Sequence, residues 1–245
     1  FRIEVNPILS FLLRLRDKNK KTQMKKLIIL LFITSFCVAQ NANRNYISHQ
    51  WKNNVLEIKT SDGYYLIKPY SDKIVETSFI PNGETFNTNS HAVILIPKSN
   101  IAEFSTSQNV LSIKTKSIEV SIQKAPFQIS YYKGNKVILS EKTGYTKKDS
   151  TEILDFKIGS DEILYGGGAR ALGMNRRGNR LQLYNRAHYG YETKAELMNF
   201  CIPLVLSSKL YAVHFDNAAI GYLDLDSKKK KTLEYETISG RKTNQ

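Results

Sequence analysis

The sequence predicts an all-β chain folded as one large antiparallel β-sandwich. Three observations carry that expectation. From residue 46 onward, short runs that alternate apolar and polar residues follow one another between turn residues, and period two is the mark of a strand with one buried face. These runs are rich in Val, Ile, Thr, Tyr and Phe, which suit a pleated, half-buried surface. No window beyond residue 40 keeps a helical period for ten residues, and AELMNF at 195–200 offers at most one turn. Fifteen such runs over about 200 residues fit a sandwich of this size.

Taken in order, VLEIKT (55–60) and YYLIKPY (64–70) meet across Ser61-Asp62-Gly63, a hairpin signal. KIVETSFI (73–80), HAVILIP (91–97), VLSIKT (110–115), IEVSIQ (118–123) and FQISYY (127–132) come next, and KVILS (136–140) follows the turn Lys133-Gly134-Asn135. ILDFKI (153–158) and EILYG (162–166) lead into a long irregular stretch. RLQLYN (180–185), CIPLVLSS (201–208), YAVHFDN (211–217), IGYLDLD (220–226) and TLEYETIS (232–239) complete the set. Four consecutive lysines at 228–231 separate the last two and read as an exposed hairpin turn. The closing YETISGRKTNQ has no final helix or polar tail and reads as a truncated domain.

The segment MKKLIILLFITSFCVA (24–39) reads as a secretory signal. Lys25 and Lys26 form its charged start, 27–36 its apolar run, and Cys37-Val38-Ala39 a small-x-small cleavage site. About thirteen apolar residues are too few to cross a hydrocarbon core of roughly 30 Å, so no stable membrane span is expected. Residues 1–23 lack an initiating Met and do not fit a secretory start. They read as an extension ahead of a true start at Met24, with a short basic cytoplasmic helix as the alternative. The expected domain is 41–245.

The formal net charge is +14. Residues 1–40 hold eight Lys/Arg and two Asp/Glu, a net of +6, which leaves about +8 over 41–245. That remainder is scattered along the strands and forms no recognisable basic module, so nucleic acid is not an expected partner. With the signal removed only Cys201 remains. It cannot form an internal disulfide and reads as a small buried hydrophobe.

The stretch 165–200, YGGGARALGMNRRGNRLQLYNRAHYGYETKAELMNF, stands apart. Gly166, Gly168 and Ala171 satisfy G-x-G-x-x-A, but no helix follows to aim amides at a pyrophosphate. The glycines instead suit positive φ or close backbone approach at a strand end. Arg170, Arg176, Arg177 and Arg180 could form an anion site, and pinning the loop through carboxylates and carbonyls is the favoured reading. In LYNRAHYGYET (183–193), Tyr184, His188, Tyr189 and Tyr191 offer aromatic faces, while Asn185, Arg186 and Glu192 offer directional hydrogen bonds. Sugars present C–H faces and hydroxyl arrays, which such a loop suits; a packed surface loop is the alternative. His49, His91, His188 and His214 lack metal-ligand spacing, so no metal and no cofactor is expected. There is no nucleophile elbow. Asp216, Asp224 and Asp226 show no pairing of the kind that retaining sugar hydrolysis needs, and they read as exposed charge.

These residues carry a family likeness. YGGG at 165–168, NRRG at 175–178, the LYNRAHYGYET loop, IPLVLSS, FDNAAIGYLDL and SGR at 239–241 occur in the order found in the N-terminal domain of glycoside hydrolase family 31. The chain resembles that domain of the α-glucosidase and α-xylosidase family over 160–245, and its secreted bacterial members most. Over 41–160 only the strand-rich pattern fits. The resemblance implies a galactose-mutarotase-like sandwich packed on a (β/α)8 barrel that carries an aspartate nucleophile and an aspartate acid/base. Both aspartates would lie beyond Gln245, and the family's W-x-D-M-N nucleophile strand is absent, the sole tryptophan being Trp51. No catalytic residue is therefore expected in this chain.

The same resemblance implies that the segment 184–192 walls a substrate pocket. Asn185, Arg186 and His188 would make polar contacts, and Tyr189 and Tyr191 would form walls. Ala169 departs from the acidic residue that many members place after the glycines. The expectation is the pocket-walling domain of a secreted or periplasmic retaining α-glycosidase, inactive alone. Its partners would be an α-linked oligosaccharide or glycoside and a missing C-terminal catalytic barrel. A stand-alone carbohydrate-binding sandwich and a structural surface β-domain are the alternatives.

Overall fold

The computed structural model describes residues 44–97, 101–187, 189–190, 192–193, 195 and 198–245. The expected extension at 1–23, the signal at 24–39, His188 and Tyr191 lie outside the described residues. Among the described residues there are strands and turns and no helix.

The first strands are β1 (Tyr46–Lys52), β2 (Val55–Thr60), β3 (Gly63–Ser71) and β4 (Ile74–Pro81). Then come β5 (Glu103–Thr106), β6 (Val110–Lys114), β7 (Glu119–Gln123), β8 (Gln128–Lys133), β9 (Lys136–Lys148) and β10 (Thr151–Lys157). The last part holds β11 (Leu164–Gly166), β12 (Asn179–Leu183), β13 (Leu204–Ser207), β14 (Tyr211–His214), β15 (Gly221–Leu225), β16 (Thr232–Thr237) and β17 (Thr243–Asn244).

They form a five-stranded sheet β1-β2-β3-β4-β17, a nine-stranded sheet β12-β15-β16-β10-β9-β8-β7-β6-β5 and a three-stranded sheet β11-β13-β14. β1 to β4 and β5 to β10 are meanders of neighbouring antiparallel strands, the product of short hairpin connections. Thr60 pairs with Gly63 across Ser61-Asp62, as the turn signal predicts. The four lysines occupy the exposed turn between β15 and β16.

The core lies between the facing sheets. Leu56, Ile58 and Ile67 of the first sheet and Leu111, Ile113, Ile122 and Ile129 of the second are fully buried alternate residues. Each such side chain contributes roughly 1.5–3 kcal/mol by leaving water. Tyr65 joins Phe79 and Phe127 at one end of this core, and Phe215 stacks on Tyr235 with centroids 4.6 Å apart at another.

β17 is short but joins two sheets. Thr243 and Asn244 pair with Ser78 and Thr77 of β4, while Asn244 also bridges Phe215. His214 and Gln245 exchange two backbone hydrogen bonds of 2.9 Å, and the Asp216 amide donates to the Thr243 carbonyl. The edge of the five-stranded sheet thereby continues into β14.

Three sequence readings need correction. HAVILIP (91–97) forms no strand, and Ile94 and Ile96 are 96% and 84% exposed. An unbroken apolar run carries no period-two information, so it cannot announce a pairing edge. β1 was not anticipated, because its buried-side residues Tyr46, His49 and Trp51 are spaced unevenly across a register shift between Tyr46 and Ser48. The strand at 136–140 continues to Lys148, bent by an irregularity where Gly144 and Glu141 face Asp155 and Phe156.

Candidate functional site

The long stretch after β11 is built on its glycines. Gly166, Gly167 and Gly168 have φ of +112°, +78° and +89°, the region that glycine enters without strain. A Cβ on Gly166 would lie 2.1 Å from the Leu204 carbonyl oxygen, and one on Gly168 would lie 2.5 Å from the Cys201 Cα. The returning chain uses this closeness. The Gly167 amide donates to Leu204 O at 3.0 Å and the Ala169 amide donates to Phe200 O at 2.9 Å.

A tongue leaves β12 at Tyr184 and returns at Phe200, directly against those glycines. Asn185 closes its root: the Cys201 amide donates to Asn185 Oδ1 at 2.6 Å, and Asn185 Nδ2 donates to Cys201 O at 3.3 Å. Cys201 is buried, as expected of a small hydrophobe. Beyond the root, Arg186 is exposed with its guanidinium 5.4 Å from the Tyr184 ring centroid. Tyr189 is 90% exposed. The structure thus separates the sequence-derived candidates. Asn185 spends its amide on the tongue's own base, whereas Arg186 and Tyr189 face outward on the span that it closes.

The arginines hold the scaffold. Buried Arg170 donates to the carbonyls of Gly167 and Gln182. Arg177 grips Asp226 through Nε and Nη2 at 3.0 and 2.8 Å and donates Nη1 to the carbonyls of Gly159, Ser160 and Glu162. Burial would raise the Asp226 carboxyl, but the bonds from Arg177 and from the Thr232 and Lys231 amides outweigh it and hold the group below its ordinary value. Arg180 pairs with Glu236 at 2.9 Å and lies 3.5 Å over the Tyr222 ring. Arg176 keeps a buried Nη1 without a hydrogen-bond partner among the described residues. Pinning, the reading favoured from sequence, describes three of the four.

A small cleft of about 390 Å³ opens beside the tongue's return. Ile202 and Pro203 line it together with His91, His214, Asn217 and Arg241. Under it lies a buried ionic cluster. Arg241 pairs with Asp216 and stands 3.8 Å from Glu76, which also accepts from Gln245 at 3.0 Å and from Tyr70 at 3.4 Å. Burial, with Glu76 beside it, pushes the Tyr70 hydroxyl up to about 12. Asn217 fixes the adjoining turn by donating to the carbonyls of Ser239 and Arg241.

The expectation that Asp216, Asp224 and Asp226 are exposed is therefore overturned. All three are at most 6% exposed, bound respectively to Arg241, to the Ser227 amide and hydroxyl, and to Arg177. Sequence reading also passed over Glu76. Its signal is an acid inside KIVETSFI, a strand buried on both faces, where a charge demands a partner. Among the described residues no group of three or more His, Cys, Asp or Glu could hold a metal ion. What the tongue offers chemically is an exposed ring and a guanidinium on a rigid root, suited to stacking and directional hydrogen bonding.

The fold and the clamped tongue define a galactose-mutarotase-like antiparallel sandwich. Residues 65–224 match the family described as the glycosyl hydrolase 31 N-terminal galactose mutarotase-like domain, and the chain belongs to that family. An α-glucosidase 2 of Bacillus thermoamyloliquefaciens is 24% identical over 201 residues, which cover 80% of this chain and 24% of that protein. The GH31 dextranase of Flavobacterium johnsoniae, solved with isomaltotriose, superposes with a TM-score of 0.76 at 21% identity, over 82% of this chain and 26% of that one. The cycloalternan-forming enzyme of Listeria monocytogenes, solved with a pentasaccharide substrate, gives 0.68 at 15% identity, over 82% and 20%. The chain spans about a quarter of the curated relative's length.

Proposed function

We propose that this chain is the substrate-pocket-walling domain of a secreted or periplasmic retaining α-glycosidase. The acids that cleave the glycosidic bond belong to a (β/α)8 barrel outside this chain, and the domain alone is inactive. The tongue lays Tyr189 and Tyr191 along an α-linked sugar, with Arg186 and His188 reaching hydroxyls. Asn185 acts as the positioning residue at the root. One observation carries this reading: Tyr189, the most exposed aromatic among the tongue's described residues, sits on a span whose two ends are fixed by the Asn185–Cys201 bonds and the Gly166–Gly168 contact. A strand-borne, rigidly rooted loop with an outward ring is what a pocket wall requires.

The isomaltotriose and pentasaccharide bound by the superposing enzymes support a carbohydrate as the ligand class. The test is made in a polypeptide that carries both this domain and the barrel. Tyr189→Ala and Arg186→Ala should each lower kcat/KM for an α-glucoside by about tenfold, a loss of roughly 1.4 kcal/mol of transition-state binding, with an unchanged melting temperature. Unchanged kcat/KM in both variants would remove the tongue from the pocket and leave a structural loop.

A further inference from the structure

β13, β14 and β15 run between two ends of unlike character. At one end they meet Pro203, Asp216 and Ile220, beside the tongue's return; at the other they turn at 208–210 and 226–231. The far end gathers three segments. The Ile158 amide donates to the Lys231 carbonyl at 3.0 Å. Arg177 grips Asp226 while it donates to the carbonyls of Gly159, Ser160 and Glu162. Glu162 in turn pairs with Lys209 at 3.2 Å and accepts from the Ser207 and Tyr211 hydroxyls. The segment 158–163 thereby joins the turn at 226–231 to the turn at 207–211.

Charge and apolar surface coincide here. Lys228 to Lys231 are all exposed. Lys157 pairs with Thr232 beside them, and burial together with Lys142 holds its amine below the ordinary value. Among the described residues Asp161 is the one exposed acid on the three segments. Leu210 is 81% exposed, and Ile163, which exchanges hydrogen bonds with Ser208, is exposed with it.

Both turns are held in shape. Lys229, Lys231 and Leu210 have φ of +54°, +57° and +64°, a strained region for such side chains. Asp226 Oδ1 accepts from the Lys231 and Thr232 amides, and its carbonyl accepts from the Lys229 amide. Four like charges fixed on one turn repel one another, and a surface of opposite charge relieves that cost.

We infer that this end of the domain is a docking surface for a bilayer rich in anionic phospholipid. The four lysines meet the phosphate headgroups, while Leu210 and Ile163 enter the boundary with the acyl chains. Charge complementarity selects an anion. The exposed Leu210 selects a membrane over a soluble polyanion, which would leave that side chain in water. The contact does not rest on the pocket-walling reading, because the tongue leaves the opposite end of the strands.

The test is amide hydrogen exchange of the full chain with vesicles of phosphatidylglycerol or of phosphatidylcholine. Phosphatidylglycerol should slow exchange in 207–211 and 226–232 at least about threefold, and phosphatidylcholine should leave both turns unchanged. Reading these two turns separates docking here from any binding through the apolar run at 27–36. Lys228→Gln, Lys229→Gln, Lys230→Gln and Lys231→Gln together should abolish the protection of both turns. Leu210→Asn, a residue that accepts this φ, should raise the lipid needed for protection about tenfold without lowering the melting temperature. Equal protection by the two lipids, no protection by phosphatidylglycerol, or undiminished protection in either variant would overturn the inference. So would protection of 226–232 by inorganic polyphosphate when vesicles give none, since the turn would then fit a soluble polyanion.

Discussion

Gly166 sits where any side chain meets main chain. A Cβ there would be 2.1 Å from the Leu204 carbonyl oxygen at a φ of +112°, and neither the carbonyl nor the dihedral can yield cheaply. Gly166→Ala should cost about 2–4 kcal/mol in a denaturant titration. Gly173→Ala, which meets open space, should stay within about 0.5 kcal/mol. Arg177 is a similar lynchpin. Arg177→Met would leave Asp226 buried without its cation, a loss of about 3–5 kcal/mol, whereas the half-exposed Arg180–Glu236 pair contributes about 1 kcal/mol or less. The sequence suggested pinning for these arginines from residue type alone. It could not show which carboxylate each would find, because Arg177 and Asp226 are 49 residues apart. The bonds of Asn185 were hidden for the same reason, its partner Cys201 lying 16 residues further along the chain.

Glu141 makes a pH prediction. Burial raises its carboxyl to about 8 despite the Arg44 guanidinium, with the Asp155 carboxylate adding to the rise and Tyr65 bonding to it. Arg44 is itself committed to Asp62, Tyr65 and the Tyr145 carbonyl. An unfolded glutamate ionises near 4.3, so between about pH 4 and 8 the folded chain binds more protons than the unfolded one. The contribution of Glu141 to stability therefore falls as pH rises through that window. Melting temperatures measured from pH 5 to 8 should decline in the parent protein and decline less steeply in Glu141→Gln.

At the level of elements, strands were legible where alternation was clean and invisible where it was not. VLEIKT, VLSIKT and IEVSIQ alternate and became β2, β6 and β7 with bounds within a residue. The bulge in β1 scrambled its period, and β5 and β17 are too short to show one. HAVILIP failed in the other direction, being apolar without a partner edge. Since Ile94 and Ile96 are almost wholly in water, replacing both with Thr should change stability by less than about 0.5 kcal/mol. The same double variant should bind less of an apolar dye, because an exposed patch is removed.

For the whole molecule, the all-β class and the family were readable from sequence, since hairpin spacing and the 160–245 motifs are local in the chain. The joining of the five- and three-stranded sheets through β17 was not, because Thr243 meets Ser78 across 165 residues. The same limit applied to the site: the tongue's composition was visible, but the ionic cluster of Glu76, Asp216 and Arg241 beside its return appears only once three distant segments meet. The described residues form packed antiparallel sheets from which the tongue projects, and on the proposed reading its exposed Arg186 and Tyr189 hold a sugar whose cleavage is carried out elsewhere. The most direct measurement is release of 4-nitrophenol from its α-glucoside by the purified chain. The proposed division of labour predicts no release above the buffer background. Turnover at rates of about 1 s⁻¹ or more, ordinary for an enzyme, would place the hydrolytic acids within these 245 residues and contradict it.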